Sequence, residues 1–106
     1  MSNVLVNAPK TAKRDSIVEI KALILHPMET GFRPGPNGRI IPRNIIERFT
    51  ATWNGTEIFD MEMSPAIAAN PFVSFFAVAS ESGTVGLRWT GDEGFVVEER
   101  VSIAVE

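Results

Sequence analysis

The chain has 106 residues, 44% of them hydrophobic, enough for one packed core and too few for two independent ones. Ten basic and thirteen acidic side chains give a net charge of -3, which excludes the basic footprint of a nucleic-acid binder. There is no cysteine, so disulfide frameworks, thiolate nucleophiles and thiolate metal sites are excluded, and no apolar run approaches the ~20 residues of a membrane-spanning helix.

Residues 1–16 contain Pro9 and the basic cluster Lys10, Lys13 and Arg14 without any periodicity, and they read as a flexible N-terminal segment. Val4-Leu5-Val6 is too short for the core of a secretory signal. Residues 17–106 read as a single domain. Val18, Ile20, Ala22 and Ile24 alternate with Glu19 and Lys21, the period of a half-buried strand. From His26 to Arg43, Pro27, Gly31, Pro34, Gly35, Pro36, Gly38 and Pro42 rule out a helix or central strand. A loop this long in a small domain is often functional.

A second alternation places Ile45, Glu47, Phe49, Ala51 and Trp53 on one face and Ile46, Arg48, Thr50 and Thr52 on the other. Asn54-Gly55 then predicts a two-residue hairpin turn, with a return strand from Glu57 to Met63. Ser64 to Pro71 reads as a connection crossing between sheets. Phe72 to Ala79 is a strand with Phe72 and Phe76 on one face and Phe75 on the other, which reads as one face covered by an opposing sheet and the other either by the same core or by another protein. Thr84–Trp89 and a last pattern from Phe95 to Val105 complete about seven strands. The fold class is all-β, an immunoglobulin-like antiparallel β-sandwich with one long loop.

Charge is unevenly spread: residues 1–50 hold eight basic and four acidic side chains, residues 51–106 two and nine. Such a molecule can orient a charged partner on approach.

His26, the single histidine, stands at the head of the long loop, three positions before Glu29. It reads either as a general base or as a ring that fixes the turn before Pro27. Because no activated nucleophile or oxyanion hole is marked, the turn-fixing role is the better reading. Met61 and Met63 share a strand face and, with Met28 and His26, form a soft donor set suited to Cu(I). The same methionines alternate with Phe59 as core residues do, and that packing role is favoured. Arg33, Arg39 and Arg43 lie among glycines and prolines, where guanidiniums can gather around an anion or acidic partner or simply keep the loop soluble.

The stretches Lys21-Ala22-Leu23-Ile24, His26-Pro27-Met28-Glu29-Thr30-Gly31 and Ile41-Pro42-Arg43 resemble the SoxZ subunits of the SoxYZ sulfur carrier of bacterial thiosulfate oxidation. Phe49-Thr50, Asn54-Gly55, Pro65-Ala66-Ile67, Ala69-Asn70-Pro71, Phe72, Phe75 and Glu81-Ser82-Gly83-Thr84 extend the resemblance over residues 17–105. It implies a non-catalytic subunit, without cofactor or metal, in a heterodimer with SoxY. A cysteine on SoxY's flexible C-terminal arm carries the sulfur, and SoxAX and SoxB dock transiently. Residues expected to touch the partner or its arm are His26, Met28, Glu29, Arg33, Arg39, Arg43 and Asn70. The sequence has no export signal of its own, and the resemblance implies a periplasmic protein co-exported with a partner bearing a twin-arginine signal. Two rival readings are an autonomous copper-handling β-sandwich and a stand-alone ligand-binding or adhesion module.

Overall fold

The structure, a computed structural model, describes residues 3–106. Within them eight strands form two layers. The smaller sheet has the order β1 (Val4–Asn7), β3 (Ile17–Ile24), β6 (Phe72–Val78). The larger has the order β2 (Thr11–Ala12), β8 (Val96–Val105), β7 (Gly83–Gly91), β4 (Ile46–Trp53), β5 (Thr56–Glu62). This is the immunoglobulin-like sandwich that the alternations predict.

The N-terminal stretch corrects the sequence reading. Val4–Asn7 pair antiparallel with β3, and Thr11–Ala12 pair parallel with β8. The chain leaves one sheet near Pro9, which has no N–H to continue a ladder, and joins the other, where Arg14 N–H donates to Glu106 O at 3.0 Å. Strands of four and two residues are too short for a period to stand out, and their pairing is supplied by residues far along the chain.

Between the layers Val18, Ile20, Ala22 and Ile24 of β3 are buried, as are Val85, Leu87 and Trp89 of β7. Phe49 lies at the centre, with ring centroids 4.9 Å from Trp89, 6.0 Å from Phe75 and 6.1 Å from Phe59. The alternation predicted for β4 fails at its start, since Ile45 and Ile46 are both buried. The cause is a bulge: Ile46 pairs with Gly91 and Arg48 with Thr90, leaving Glu47 as an extra residue. One extra residue reverses the side-chain parity, so Ile46 faces inward on the far side of the bulge from Phe49.

Gly91 makes this possible. A Cβ there would lie 2.3 Å from Ile45 O and 2.9 Å from Ile46 Cα. At the other end of β4, Asn54 and Gly55 have φ of 50° and 85°, the conformation of a type I′ turn, and the predicted hairpin forms. Trp53 Nε1–H donates to Glu81 O at 3.0 Å, and Asn54 Oδ1 accepts from Thr84 N–H at 3.0 Å. These bonds tie the hairpin to the β6–β7 turn. Residues 63–71 carry the chain from β5 in one sheet to β6 in the other, as predicted.

The opposing sheet covers the inner face of β6, as expected, while Phe72 and Phe76 are 60% and 65% exposed on the outer face of the smaller sheet. Only the inner face of β6 is covered within the chain, by Val73 and Phe75 packing against the core.

Replacing Gly91 with Ala should destabilise the fold by about 3 kcal/mol, because the new methyl meets backbone that cannot move without breaking the bulge. A urea titration checks this, and a midpoint equal to wild type would show that the bulge does not depend on Gly91.

Candidate functional site

The long loop between β3 and β4 is ordered by its own backbone and by side chains at its root. At its base Glu29 and Asn44 exchange backbone hydrogen bonds of 2.8 Å in each direction. Further out, Ile41 N–H donates to Arg33 O at 2.8 Å and Gly35 N–H to Arg39 O at 2.6 Å. The loop is therefore a narrow ribbon that turns through Pro36, Asn37 and Gly38, where Gly38 takes a φ of 79°. A ribbon satisfies backbone groups that water would otherwise serve, which is how so many prolines coexist with order.

His26 sits at the root of this ribbon, 5% exposed. Its amide donates to Asn70 Oδ1 at 2.9 Å, and its carbonyl accepts from Asn70 N–H at 2.8 Å. Asn70 holds a φ of 53°, a conformation asparagine tolerates better than most residues. His26 Nδ1 accepts from Met28 N–H at 3.0 Å, so in the neutral ring the proton belongs on Nε2. Phe95 packs edge-on against the ring at 4.8 Å. The sequence reading has the ring donating to backbone at the loop entrance; the structure keeps the ring in the turn but reverses that bond, with Nδ1 accepting the Met28 amide.

Met28 is 4% exposed, and its sulfur accepts the Ile46 amide at 3.2 Å. Met63 is also buried, and Met61 packs against the core. The methionines therefore act as packing residues. Among the described residues no group of three His, Cys, Asp or Glu side chains gathers to hold a metal ion.

The arginines divide. Arg33 forms a two-pronged pair with Glu29, at 2.6 Å and 3.2 Å. Arg43 grips Asp92 at 2.7 Å and 2.8 Å and reaches Glu47 at 3.4 Å. Asp92 Oδ2 also accepts the Ile45 amide at 3.1 Å, so this carboxylate seals the loop's return to the sheet. Hydrogen bonds from Arg33 and Arg43 hold the Glu29 and Asp92 carboxyls below their ordinary values of 4.5 and 3.8. Arg39, beside the turn of the ribbon, has no ion pair among the described residues.

Of the seven residues expected at a partner contact, the structure thus buries His26 and Met28 in the loop's footing. It commits Glu29, Arg33 and Arg43 to intramolecular pairs, and it uses the Asn70 side chain to hold the His26 amide. Arg39 stays available. Sequence reasoning missed Phe32 and Ile40, which are 81% and 55% exposed on the same ribbon. The signal was present in an aromatic and a branched residue standing among glycines and prolines outside any alternation.

Burial lowers the His26 pKa below its ordinary 6.5, and the Asn44 side chain and the Asp92 charge offset this only in part. The unfolded chain therefore takes up the proton first, so stability is full above about pH 6.5 and declines as pH falls toward the folded-state value. Glu29 and Asp92 titrate lower still, which leaves the upper part of this window to His26. Urea midpoints measured from pH 7.5 to 5 should fall for the wild type and stay level across that window for His26→Gln. Parallel curves would remove His26 as the cause.

No curated protein sequence matches the chain. Among solved structures, the superoxide reductase (neelaredoxin) of Ignicoccus hospitalis superposes with a TM-score of 0.75 at 18% identity, covering 98% of this chain and 80% of its own. The sulfur carrier protein SoxY of Chlorobium limicola f thiosulfatophilum superposes with a TM-score of 0.71 at 10% identity, covering 100% and 81%. A CARDB domain from Pyrococcus furiosus, solved with di-metal ions, gives 0.58 at 16% identity, covering 98% and 93%. At these identities the likeness establishes the fold alone. The family model described as Sulphur oxidation protein SoxZ matches residues 6–102, nearly the whole sequence, and the chain belongs to the SoxZ family.

Proposed function

We propose that this chain is the non-catalytic subunit of a SoxYZ-type sulfur carrier. It pairs with a SoxY-like subunit whose C-terminal cysteine holds sulfur intermediates covalently during thiosulfate oxidation. The observation that carries this reading is the SoxZ family match across residues 6–102. The composition agrees with it: these 106 residues contain no thiol, so a covalent sulfur adduct on cysteine requires a second chain. What this chain contributes is surface and order. Its one imidazole is spent on a backbone amide.

In this reading the ribbon between β3 and β4 is a docking element for the partner's arm or for enzymes such as SoxAX and SoxB that act on its cargo. Arg39, Phe32 and Ile40 are all exposed on this ribbon, one cation and two apolar side chains of kinds that hold a protein partner. The assembly works in the periplasm and crosses the membrane together with a partner bearing a twin-arginine signal.

Co-expression with a SoxY-like protein followed by native mass spectrometry tests the carrier reading. A one-to-one complex with sulfur adducts on the partner's cysteine is expected, whereas a chain that ignores that partner would remove the reading. For the ribbon, Arg39→Glu should slow sulfur transfer from the carrier in a salt-dependent way and leave the thermal midpoint unchanged. Identical transfer kinetics at low salt would take Arg39 out of docking.

A further inference from the structure

The two sheets expose four outer edges, and three of them are guarded. β1 and β2 have only four and two residues, and β5 carries Glu57, Asp60 and Glu62. Short length and charge are the usual means by which sheets avoid pairing with other chains. β6 has neither. Its seven residues, Phe72–Val78, contain no charge and no proline, and among the described residues no strand lies on its far side.

The register shows which backbone groups face outward. Ile24 N–H donates to Pro71 O, and Ala79 N–H donates to Ser16 O, so pairs of this parity bond β6 to β3. In an antiparallel ladder the intervening residues point the other way. The amides of Phe72, Ser74 and Phe76 therefore face the open edge.

Beside that edge lies an apolar hollow of about 400 Å³ lined by Ile17, Ile58, Phe76, Ala77 and Val78. Phe59 of β5 stacks on Phe75 of β6 at 4.8 Å, and Ile58, Phe59 and Met61 remain only partly buried. A strand added next to β6 would complete the ladder and cover these β5 side chains in one step. On the outer face Phe72, Phe76, Ile17, Val78 and Leu5 are each more than half exposed. They fall into two groups, Leu5 with Phe72 and Ile17 with Phe76 and Val78, with Lys21 and Ser74 between them; together they present on the order of 500 Å² of apolar surface, the size of the largest apolar patch on a monomer, which is often functional.

Charge separates the candidate occupants. From Phe49 to Leu87 the chain has no basic residue, while Glu57, Asp60, Glu62 and Glu81 flank the β5–β6 side. Arg48, paired with Asp60, and Arg14, bonded to Ser80 O, stand at its margins, and on the outer face Lys21, in register with Ser74, lies 3.8 Å from Glu19, which itself accepts the Ser74 hydroxyl. Two copies of this chain meeting here would oppose acid to acid, which specific interfaces avoid.

We propose that the open edge of β6 receives an extended strand of the sulfur-bearing partner subunit, one that is uncharged where it faces the sandwich and flanked by basic side chains. The partner's identity rests on the function proposed above. The edge, the hollow and the acidic flank specify the strand itself. Main-chain bonds supply binding, and the hollow selects an apolar side chain from it.

Hydrogen–deuterium exchange and affinity measurements on the full chain with its co-expressed SoxY-like partner test the proposal. In the complex the Phe72, Ser74 and Phe76 amides should exchange about 100-fold more slowly than in the free chain. Phe76→Lys and Ser74→Pro should each weaken the complex about 100-fold, while Val96→Lys, remote on β8, should leave it within about twofold. Phe76 is exposed, so its variant decides the matter even if the proline variant fails to fold. A complex that forms with unaltered amide exchange, or that ignores both substitutions, overturns the edge assignment and leaves the carrier reading standing. No complex with the wild-type chain removes the carrier reading and the edge assignment with it. A homodimer that the same substitutions dissociate would make a second copy the occupant and overturn the proposal.

Discussion

The close approach of β4 to β7 at Gly91 is the constraint from which most of the remaining structure follows. Because Gly91 has no Cβ, the Ile45 carbonyl passes where a methyl would stand, and β4 accommodates an extra residue at Glu47. That insertion lets Ile45, Ile46 and Phe49 all enter the core, which strict alternation forbids. It also delivers Arg43, just upstream, to Asp92, just downstream of Gly91. The same few backbone atoms set the packing of the sandwich and the footing of its long loop.

That loop owes its order to polar groups used locally. The Asn70 side chain clasps the His26 amide, His26 takes the Met28 amide, and Met28 sulfur takes the Ile46 amide. Each of these bonds satisfies a backbone donor that burial would otherwise leave unpaired. Residues that resemble a reactive constellation in sequence, one imidazole with thioethers and arginines, are thus occupied in holding a turn. The exposed side chains of the ribbon lie further out, at Phe32, Arg39 and Ile40.

The sandwich is lopsided, with three strands facing five. Its smaller sheet ends in a strand with no charges at a place where β5 is incompletely covered. This asymmetry leaves one strand edge and the apolar side chains on the outer face of β6 uncovered within the chain.

Much of this was legible in the linear chain. The period of two in Ile17–Ile24, the Asn54-Gly55 turn and the density of prolines after His26 are local signals, because strand pleat, turn dihedrals and missing amides act over a few residues. The all-β class and the order of most strands followed from them, and the motifs around His26 and Asn70 already resembled the SoxZ family. The strands at Val4–Asn7 and Thr11–Ala12 were not legible, nor was the reversal of parity at Glu47. Each is decided by a partner about fifteen to ninety residues away in sequence. The same holds for the arginines, whose spacing resembled an anion site until tertiary contact brought Asp92 to Arg43 across 49 positions. Sequence by itself determined which segments extend and which turn, since those preferences belong to single residues and their neighbours. Only the tertiary structure decided which extended segments pair and which edge is left open, since hydrogen bonding and burial between distant residues exist only once the chain has folded.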